Sequence, residues 1–273
     1  IADGDWSSDV CSSDLYTPHS PMPDNTDLAI VLPAYRPPID RLSEYIEALD
    51  TQLDPGRIHV PFDGIQDVDP QLRRLEQAGA TVSPSPDRQG KGAALSGAFD
   101  RLATSFDRLL FLDADGSTSV ESAAHLAEQV SGSSPTLAIG YRHPPQQAER
   151  QNRPGYRRVF SSGYRQLAHA LVGIDARDPQ CGAKAMDASV WWQLRPTLRN
   201  TGFGWDTELL AIAAAAGIPV SEHPVEWVDQ PGTTVRLTDP VRMLGQLLSA
   251  RRRASKTPPR QPTPSSQTPR LRV

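Results

Sequence analysis

Over most of its length the chain repeats one pattern, a short aliphatic or β-branched run followed by a longer amphipathic one, and few folds other than a sheet with helical crossovers accommodate it. The short runs at 28–32, 57–61, 80–83, 108–112 and 136–140 predict strands, and the spans 39–50, 70–78, 90–104 and 120–130 between them predict helices. Crossover helices impose parallel neighbours, so the expected fold class is α/β: a mostly parallel sheet flanked by helices in a single domain. Ligands of such sheets bind beyond the carboxyl ends of the strands, which directs attention to the loops that follow the short runs.

The strongest local signal is Leu109-Leu110-Phe111-Leu112-Asp113-Ala114-Asp115-Gly116-Ser117. A wholly apolar strand ends in two carboxylates one residue apart, and such a pair repels itself unless a cation lies close by. Hard oxygen ligands in this arrangement suit Mg²⁺ or Mn²⁺, with the remaining positions left to water and substrate phosphate. The competing reading is a capping turn, with Asp115 or Ser117 opening the helix near Ser119.

Three further segments carry chemistry. Leu32-Pro33-Ala34-Tyr35-Arg36-Pro37-Pro38 ends the first strand and reads either as a rigid turn or as a Tyr face for a flat ligand such as a base. Phe62-Asp63-Gly64 is either an Asp-Gly turn or a carboxylate for a ribose or base edge. Gly90-Lys91-Gly92 at a helix start lets a phosphate approach bare backbone amides, with Lys91 as a point charge; the Walker A spacing is absent.

Downstream, Gly140-Tyr141-Arg142 closes the fifth strand, and Arg150, Arg153, Arg157, Arg158 and Arg165 gather around a helix with Arg157 and Ser161 at i,i+4. They form an anion site or a solvated face. Asp178 to Lys184 precedes a turn, and Asp206 and Glu208 begin an apolar helix reaching Ala216, as dipole partners or as catalytic acids. The span 218–227 predicts a last strand, followed by Gly232 to Arg236 as another phosphate contact.

The ends differ from the middle. Residues 1–27 hold six Asp and no Lys or Arg in a Ser/Pro-rich setting, which predicts an unstructured acidic segment. Its near-repeat, Ser7-Ser8-Asp9-Val10 then Ser12-Ser13-Asp14-Leu15, reads as a cloning or sequencing remnant. Residues 251–273 carry seven bases, no acids and five prolines, an extended basic tail. Residues 28–250 form the expected domain. A net charge of −4 gives no reason to expect nucleic acid as a partner. Cys11 and Cys181 have no CxxC spacing, which excludes zinc fingers and iron–sulfur clusters and suggests free thiols. The longest apolar candidate, 209–220, is too short for a membrane span, and with no secretory signal pattern the expected location is cytoplasmic.

In order and spacing, Val31-Leu32-Pro33-Ala34-Tyr35, Asp63-Gly64, Gly90-Lys91-Gly92, Asp113-Ala114-Asp115-Gly116, Gly140-Tyr141-Arg142, Asp178 to Lys184, Trp205 to Glu208 and Glu222 to Trp227 resemble glycosyltransferase family 2, within it the dolichyl- or polyprenyl-phosphate glucose and mannose synthases. The resemblance covers roughly residues 28–236 and implies a GT-A fold with a Rossmann-like nucleotide-binding sheet. It implies that Pro33, Ala34, Tyr35 and Asp63 hold the nucleotide of a nucleoside-diphosphate sugar, with Lys91, Ala114 and Arg236 also on the donor. It implies that Asp113, Asp115 and Ser117 hold Mg²⁺ or Mn²⁺, and that Arg142, Arg157 and Ser161 hold the lipid phosphate. Asp115, Arg142 and Asp206 are the expected catalytic residues. The Gln-Cys-Gly-x-Lys stretch and the Asp-Gly-Ser variant look more like glucosyl than mannosyl relatives.

The implied reaction is inverting transfer of a hexose, from UDP-glucose or GDP-mannose, to a polyprenyl or dolichyl phosphate. Phe62-Asp63 stands where paired acids are usual, so a difference in base recognition is implied, and Ala183 stands where Phe is frequent. Many relatives carry transmembrane helices; here the stripe Val241, Leu244, Leu247 and Leu248 beside Arg251 to Arg253 reads either as an interfacial helix on anionic lipid or as a terminal core helix. The alternatives are a family 2 enzyme using a sugar or small-molecule hydroxyl, with Asp206 or Glu208 as base, and a non-catalytic nucleotide-sugar-binding module. A nucleotidyltransferase is disfavoured by the prolines after the first strand.

Overall fold

A computed structural model describes residues 26–66, 69–130, 135–143 and 176–228, together with 245, 248–249, 251–253 and 255. The ordered elements are β1 (Leu28–Val31), β2 (Ala34–Tyr35), α1 (Ile39–Leu53), β3 (Arg57–Asp63), α2 (Pro70–Gln77), β4 (Ala80–Ser85), α3 (Lys91–Leu102), β5 (Arg108–Leu112), α4 (Val120–Glu128), β6 (Leu137–His143), β7 (Ala183–Asp187), α5 (Ala188–Leu194), α6 (Trp205–Ala216) and β8 (Val220–Glu226).

The strands form one eight-stranded sheet, β2-β3-β1-β5-β7-β6-β8, with β4 also pairing β3. All pairings of β1, β2, β3, β4 and β5 among themselves are parallel, as is β6 with β8; β7 runs antiparallel to both β5 and β6. Side chains alternate across a strand, and the two faces of β1 and β5 accordingly feed two cores. Leu28, Ile30, Leu110 and Leu112 pack with Leu42, Ile46 and Leu49 of α1, Leu72 and Leu75 of α2 and Leu126 of α4. Ala29, Val31, Leu109 and Phe111 pack on the other side with Leu95 and Phe99 of α3, Trp191 of α5 and Trp205 and Leu209 of α6. Both faces being covered explains why β1 is apolar at every position and β5 at every position after Arg108.

Local signals set the helix ends. Asp69 accepts a hydrogen bond from the Gln71 amide with Pro70 in the first helical position, and Gly217, at φ +68°, ends α6. Ser119 caps α4 by accepting from the Ser122 amide, so neither Asp115 nor Ser117 caps it.

Several expectations need correction. The turn expected after Lys184 is instead the buried strand β7, which its alternating Ala, Lys and Met residues do not advertise because small side chains suit a crowded sheet centre but carry no β-propensity. Helix α5 and the two-residue β2 were also missed. Asp27, assigned to the unstructured segment, is paired with the buried Arg108 guanidinium, so the ordered chain begins before 28. Arg251 to Arg253 are helical rather than extended. Among the described residues no helix is long and apolar enough to cross a membrane.

His59 lies buried in β3 beside Arg101. Burial first, then the charges of Arg101 and Arg57, push its imidazole down to about 4. The folded state thus favours neutral His59: the stabilisation is complete above the ordinary histidine pKa and is lost as pH falls from there toward the folded value. Urea unfolding at pH 7 and pH 5 should show wild type losing about 2 kcal/mol more than His59→Gln over that interval; equal losses would refute the assignment.

Candidate active site

The carboxyl ends of β1, β3 and β5 converge on a polar cluster whose centre is buried. Asp113 follows β5 directly; its amide donates to the Gly182 carbonyl at 2.8 Å, which ties the strand end to the segment entering β7. A Cβ at residue 182 would collide with the Asp113 carboxylate, so this close approach requires glycine. The Asp115 carboxylate accepts from the Ser117 amide at 3.0 Å across a turn with Gly116 at φ +68°.

Four side chains of alternating charge connect this strand end to α6. Lys91 Nζ lies 3.0 Å from Asp113 Oδ1 and 3.2 Å from Asp206 Oδ2; Lys184 Nζ lies 2.8 Å from Asp206 Oδ1 and donates to the Cys181 carbonyl at 2.6 Å. Lys184 is 0% exposed and Asp206 2%. Both ammonium groups also approach the ring of Phe111, at 4.9 and 5.4 Å from its centroid, a cation–π arrangement in which an apolar strand residue supports two charges.

Burial alone would raise the Asp206 carboxyl, but Lys184 and Lys91 outweigh it and hold it below the usual carboxylate range. Burial likewise works against the Lys91 ammonium, and Asp113 followed by Asp206 overcomes it, keeping that group firmly protonated. Asp113 is left raised: burial acts first, Lys91 offsets part of it, and the negative charges of Asp115 and Asp206 add to it. Burial and the same two acids, Asp115 and Asp113, also raise the Tyr45 hydroxyl. Tyr45 packs against Gly116, and its hydroxyl, with those of Ser117 and Thr118, is buried with no hydrogen-bond partner among the described residues.

These residues fit a divalent cation. Asp113 and Asp115 carry more negative charge than Lys91 neutralises, and the Ser117 hydroxyl beside them has no hydrogen-bond partner among the described residues. Among the described residues no group of three or more His, Cys, Asp or Glu side chains is arranged to hold a metal ion.

The neighbouring loops carry the remaining expected residues. The Asp63 carboxylate accepts from the Gly90 amide at 2.8 Å, joining the end of β3 to the Gly-Lys-Gly turn. Gly90, at φ +96°, starts α3 without a side-chain cap. Pro33 is half-buried and Ala34 and Ala114 are buried, so these three contribute shape and backbone. Tyr35 is exposed, with the guanidinium of Arg88 4.2 Å from its ring centroid. Arg142 at the end of β6 is engaged by Asp178 through Nε and Nη2, at 2.5 and 2.9 Å. Burial opposes the charge of Arg142, and the Asp178 pairing more than restores it. Beside it, burial and then Asp178 push the Cys181 thiol up to about 12, so it is a protonated core residue.

The structure thus brings together Asp63, Lys91, Asp113, Asp115, Ser117 and Asp206. Arg157, Ser161 and Arg236 lie outside the described residues, as do Val241, Leu244 and Leu247. Glu208 faces away from the cluster's partners: its carboxylate accepts from the Arg199 and Asn200 amides at 3.2 and 2.6 Å. The sequence reading places Lys184 in the Gln-Cys-Gly-x-Lys stretch without giving it a role in the site, and Tyr45 carries no signal in it. The i,i+2 spacing of Cys-Gly-Ala-Lys from a glycine gives no hint of a buried ammonium, and Tyr45 reads as one more apolar position of α1.

Strand order and this acid-tipped central strand define a GT-A fold. Glucosyl-3-phosphoglycerate synthase from Mycobacterium tuberculosis, crystallised with Mn²⁺, UDP-glucose and phosphoglyceric acid, matches with a TM-score of 0.58 at 19% identity, covering 84% of this chain and 79% of that one. By sequence the chain is 32% identical over 227 residues to glycosyltransferase AglD of Haloferax volcanii, 80% of this chain and 36% of AglD. It is 27% identical over 179 residues to dolichyl-phosphate beta-glucosyltransferase ALG5C of Trichomonas vaginalis, 64% of this chain and 50% of that protein. The chain therefore spans half or less of the length of these two relatives. No family model matches the chain. It belongs to glycosyltransferase family 2, as its motif order implied.

Removing one member of the buried charge chain should be costly because its partner is left uncompensated. Lys184→Met is expected to lower the free energy of unfolding by about 3–5 kcal/mol, read from urea denaturation, and Lys184→Met with Asp206→Asn should recover part of it. A loss below that seen for exposed Lys or Arg substitutions would show that the pair does not stabilise the fold.

Proposed function

We propose that the protein transfers glucose from UDP-glucose to a polyprenyl or dolichyl phosphate, with inversion at the anomeric carbon. The observation that carries this reading is Asp206: both its oxygens are bound by lysines and it is almost wholly buried, so it is poorly disposed to take a proton from a hydroxyl acceptor. Glu208 is likewise occupied by two backbone amides. An acceptor that already carries its negative charge needs no base, and a phosphate is such an acceptor. The names of the dolichyl-phosphate beta-glucosyltransferases among the relatives favour the same acceptor class and glucose over mannose.

Asp113 and Asp115, with Ser117 beside them, would hold Mg²⁺ or Mn²⁺. When bound, that ion would supply Lewis-acid neutralisation of the departing diphosphate. In the reaction a phosphate oxygen of the acceptor bonds to C1 of the sugar as the C1–O bond to the nucleoside diphosphate breaks; the leaving group keeps the electron pair and no proton moves. Lys91, held protonated by Asp113 and Asp206, offers a second positive charge to the donor phosphates. Asp206 serves by fixing Lys91, Tyr35 offers a face for the base, and Asp63 holds the Gly90 turn in place. Arg142, with Arg157 and Ser161, would orient the acceptor phosphate, Arg142 exchanging some of its bond to Asp178 for it. Arg236 would complete the donor contacts.

A lipid acceptor places the reaction at a membrane face, the cytoplasmic one in this reading, with the protein peripheral to it. The exposed Leu248 and the exposed Arg251 and Arg252 support such contact.

Incubation with UDP-glucose or GDP-mannose, Mg²⁺ or Mn²⁺, and either a short polyprenyl phosphate or the matching polyprenol tests this directly by mass spectrometry. Polyprenyl-phosphate glucose is the expected product; comparable turnover of the free alcohol would overturn the phosphate reading. In the same assay Asp115→Ala should reduce the rate by a factor of about 100 or more, with circular dichroism unchanged, and excess chelator should reproduce the loss.

A further inference from the structure

Glu208 is 1% exposed, and its second oxygen has a partner from a distant part of the chain: Arg253 Nη1 lies 2.5 Å from Glu208 Oε1, while Arg253 Nη2 donates to Ser249 Oγ at 3.3 Å. The other Glu208 oxygen holds the amides of Arg199 and Asn200. That loop is the seat of the Gly-Lys-Gly turn. The Thr201 carbonyl accepts from the Ala93 amide at 3.1 Å, and side chains at Gly90 or Gly92 would collide with the Thr201 and Asn200 carbonyls. Asn200 Oδ1 in turn accepts from the Gly202 amide at 2.9 Å, which stiffens the loop.

We infer that Arg253 is a positioning residue for the donor-phosphate turn, acting through Glu208 and the loop at 199–202 on the backbone that carries Lys91. A buried carboxylate holding two amides needs a counter-charge, and among the described residues the ion pair recorded for Glu208 is with Arg253. Arg253 thus differs in role from Arg251 and Arg252, which are exposed. Glu208, read from sequence as a dipole partner or a catalytic acid, is instead the joint between the basic segment and the Lys91 turn. The assignment rests on the proposed donor only in its binding arm; the structural coupling stands without it.

The test uses the full chain and three variants: Arg253→Ala, Arg253→Lys and, as a control for loss of one exposed charge, Arg73→Ala on α2. Amide hydrogen exchange should accelerate at least tenfold at Arg199, Asn200 and, in a separate element, Ala93 in Arg253→Ala, with Arg73→Ala like wild type and Arg253→Lys in between. Calorimetry with UDP and Mn²⁺ should show binding weakened about tenfold in Arg253→Ala, and where turnover is measured KM for the donor should rise more than kcat falls. Unchanged protection at Ala93 in a folded Arg253→Ala protein, or equal acceleration in Arg73→Ala, overturns the coupling. If UDP fails to bind wild type while the exchange pattern appears, the coupling is upheld and the donor reading is the one that fails.

Discussion

Everything at the carboxyl end of the sheet is arranged around a buried ammonium, Lys184, facing a buried carboxylate, Asp206. Desolvating either alone would be prohibitive, so each dictates the other's place, and together they dictate Lys91 and hence the Gly-Lys-Gly turn. The same pairing ties three elements that are remote in sequence: β7, the start of α6 and the start of α3. Phe111 of β5 lies beneath both lysines and packs against Trp205 with ring centroids 5.6 Å apart, so the apolar core and the charged cluster share a wall.

This arrangement accounts for the division of labour between acids. Asp113 and Asp115 sit where negative charge is in excess, which a bound cation would relieve. Asp206 sits where positive charge satisfies it on both sides, and Glu208 is committed to backbone amides and Arg253. Four acids of the same chemistry thus acquire different tasks from their neighbours alone, a pattern that the pKa directions of Asp113 and Asp206 express in opposite senses.

Much of the parallel half was legible in sequence because its central strands are nearly continuous apolar runs alternating with helical ones: 108–112 coincides with β5, and the apolar helix opening at Trp205 ends at Ala216 as expected. β7 was not legible, since a buried Lys between alanines looks polar until Asp206 is known to face it. For the candidate site, Asp63, Lys91, Asp113 and Asp115 could be picked out because each falls at a strand end or helix start where its chemistry and its position agree. The roles of Lys184, Tyr45 and Arg253 were not legible because they are relational, although Lys184 and Arg253 lie in segments that the sequence picks out. Glu208 was noticed, but the partner that defines its role lies far along the chain, in a segment whose charge and proline content suggested an extended tail.

The antiparallel placement of β7 has a consequence for how the molecule is made. β5 pairs β1 on one side and β7 on the other, and residues 183–187 leave the ribosome well after residues 108–112. During that interval the most apolar edge of the nascent sheet has no hydrogen-bonding neighbour, a situation that invites pairing with other chains. A sheet that formed in chain order would keep this edge open until the strand bearing Lys184 closes the gap, so the side chain that organises the site belongs to the last central piece of the scaffold to be made.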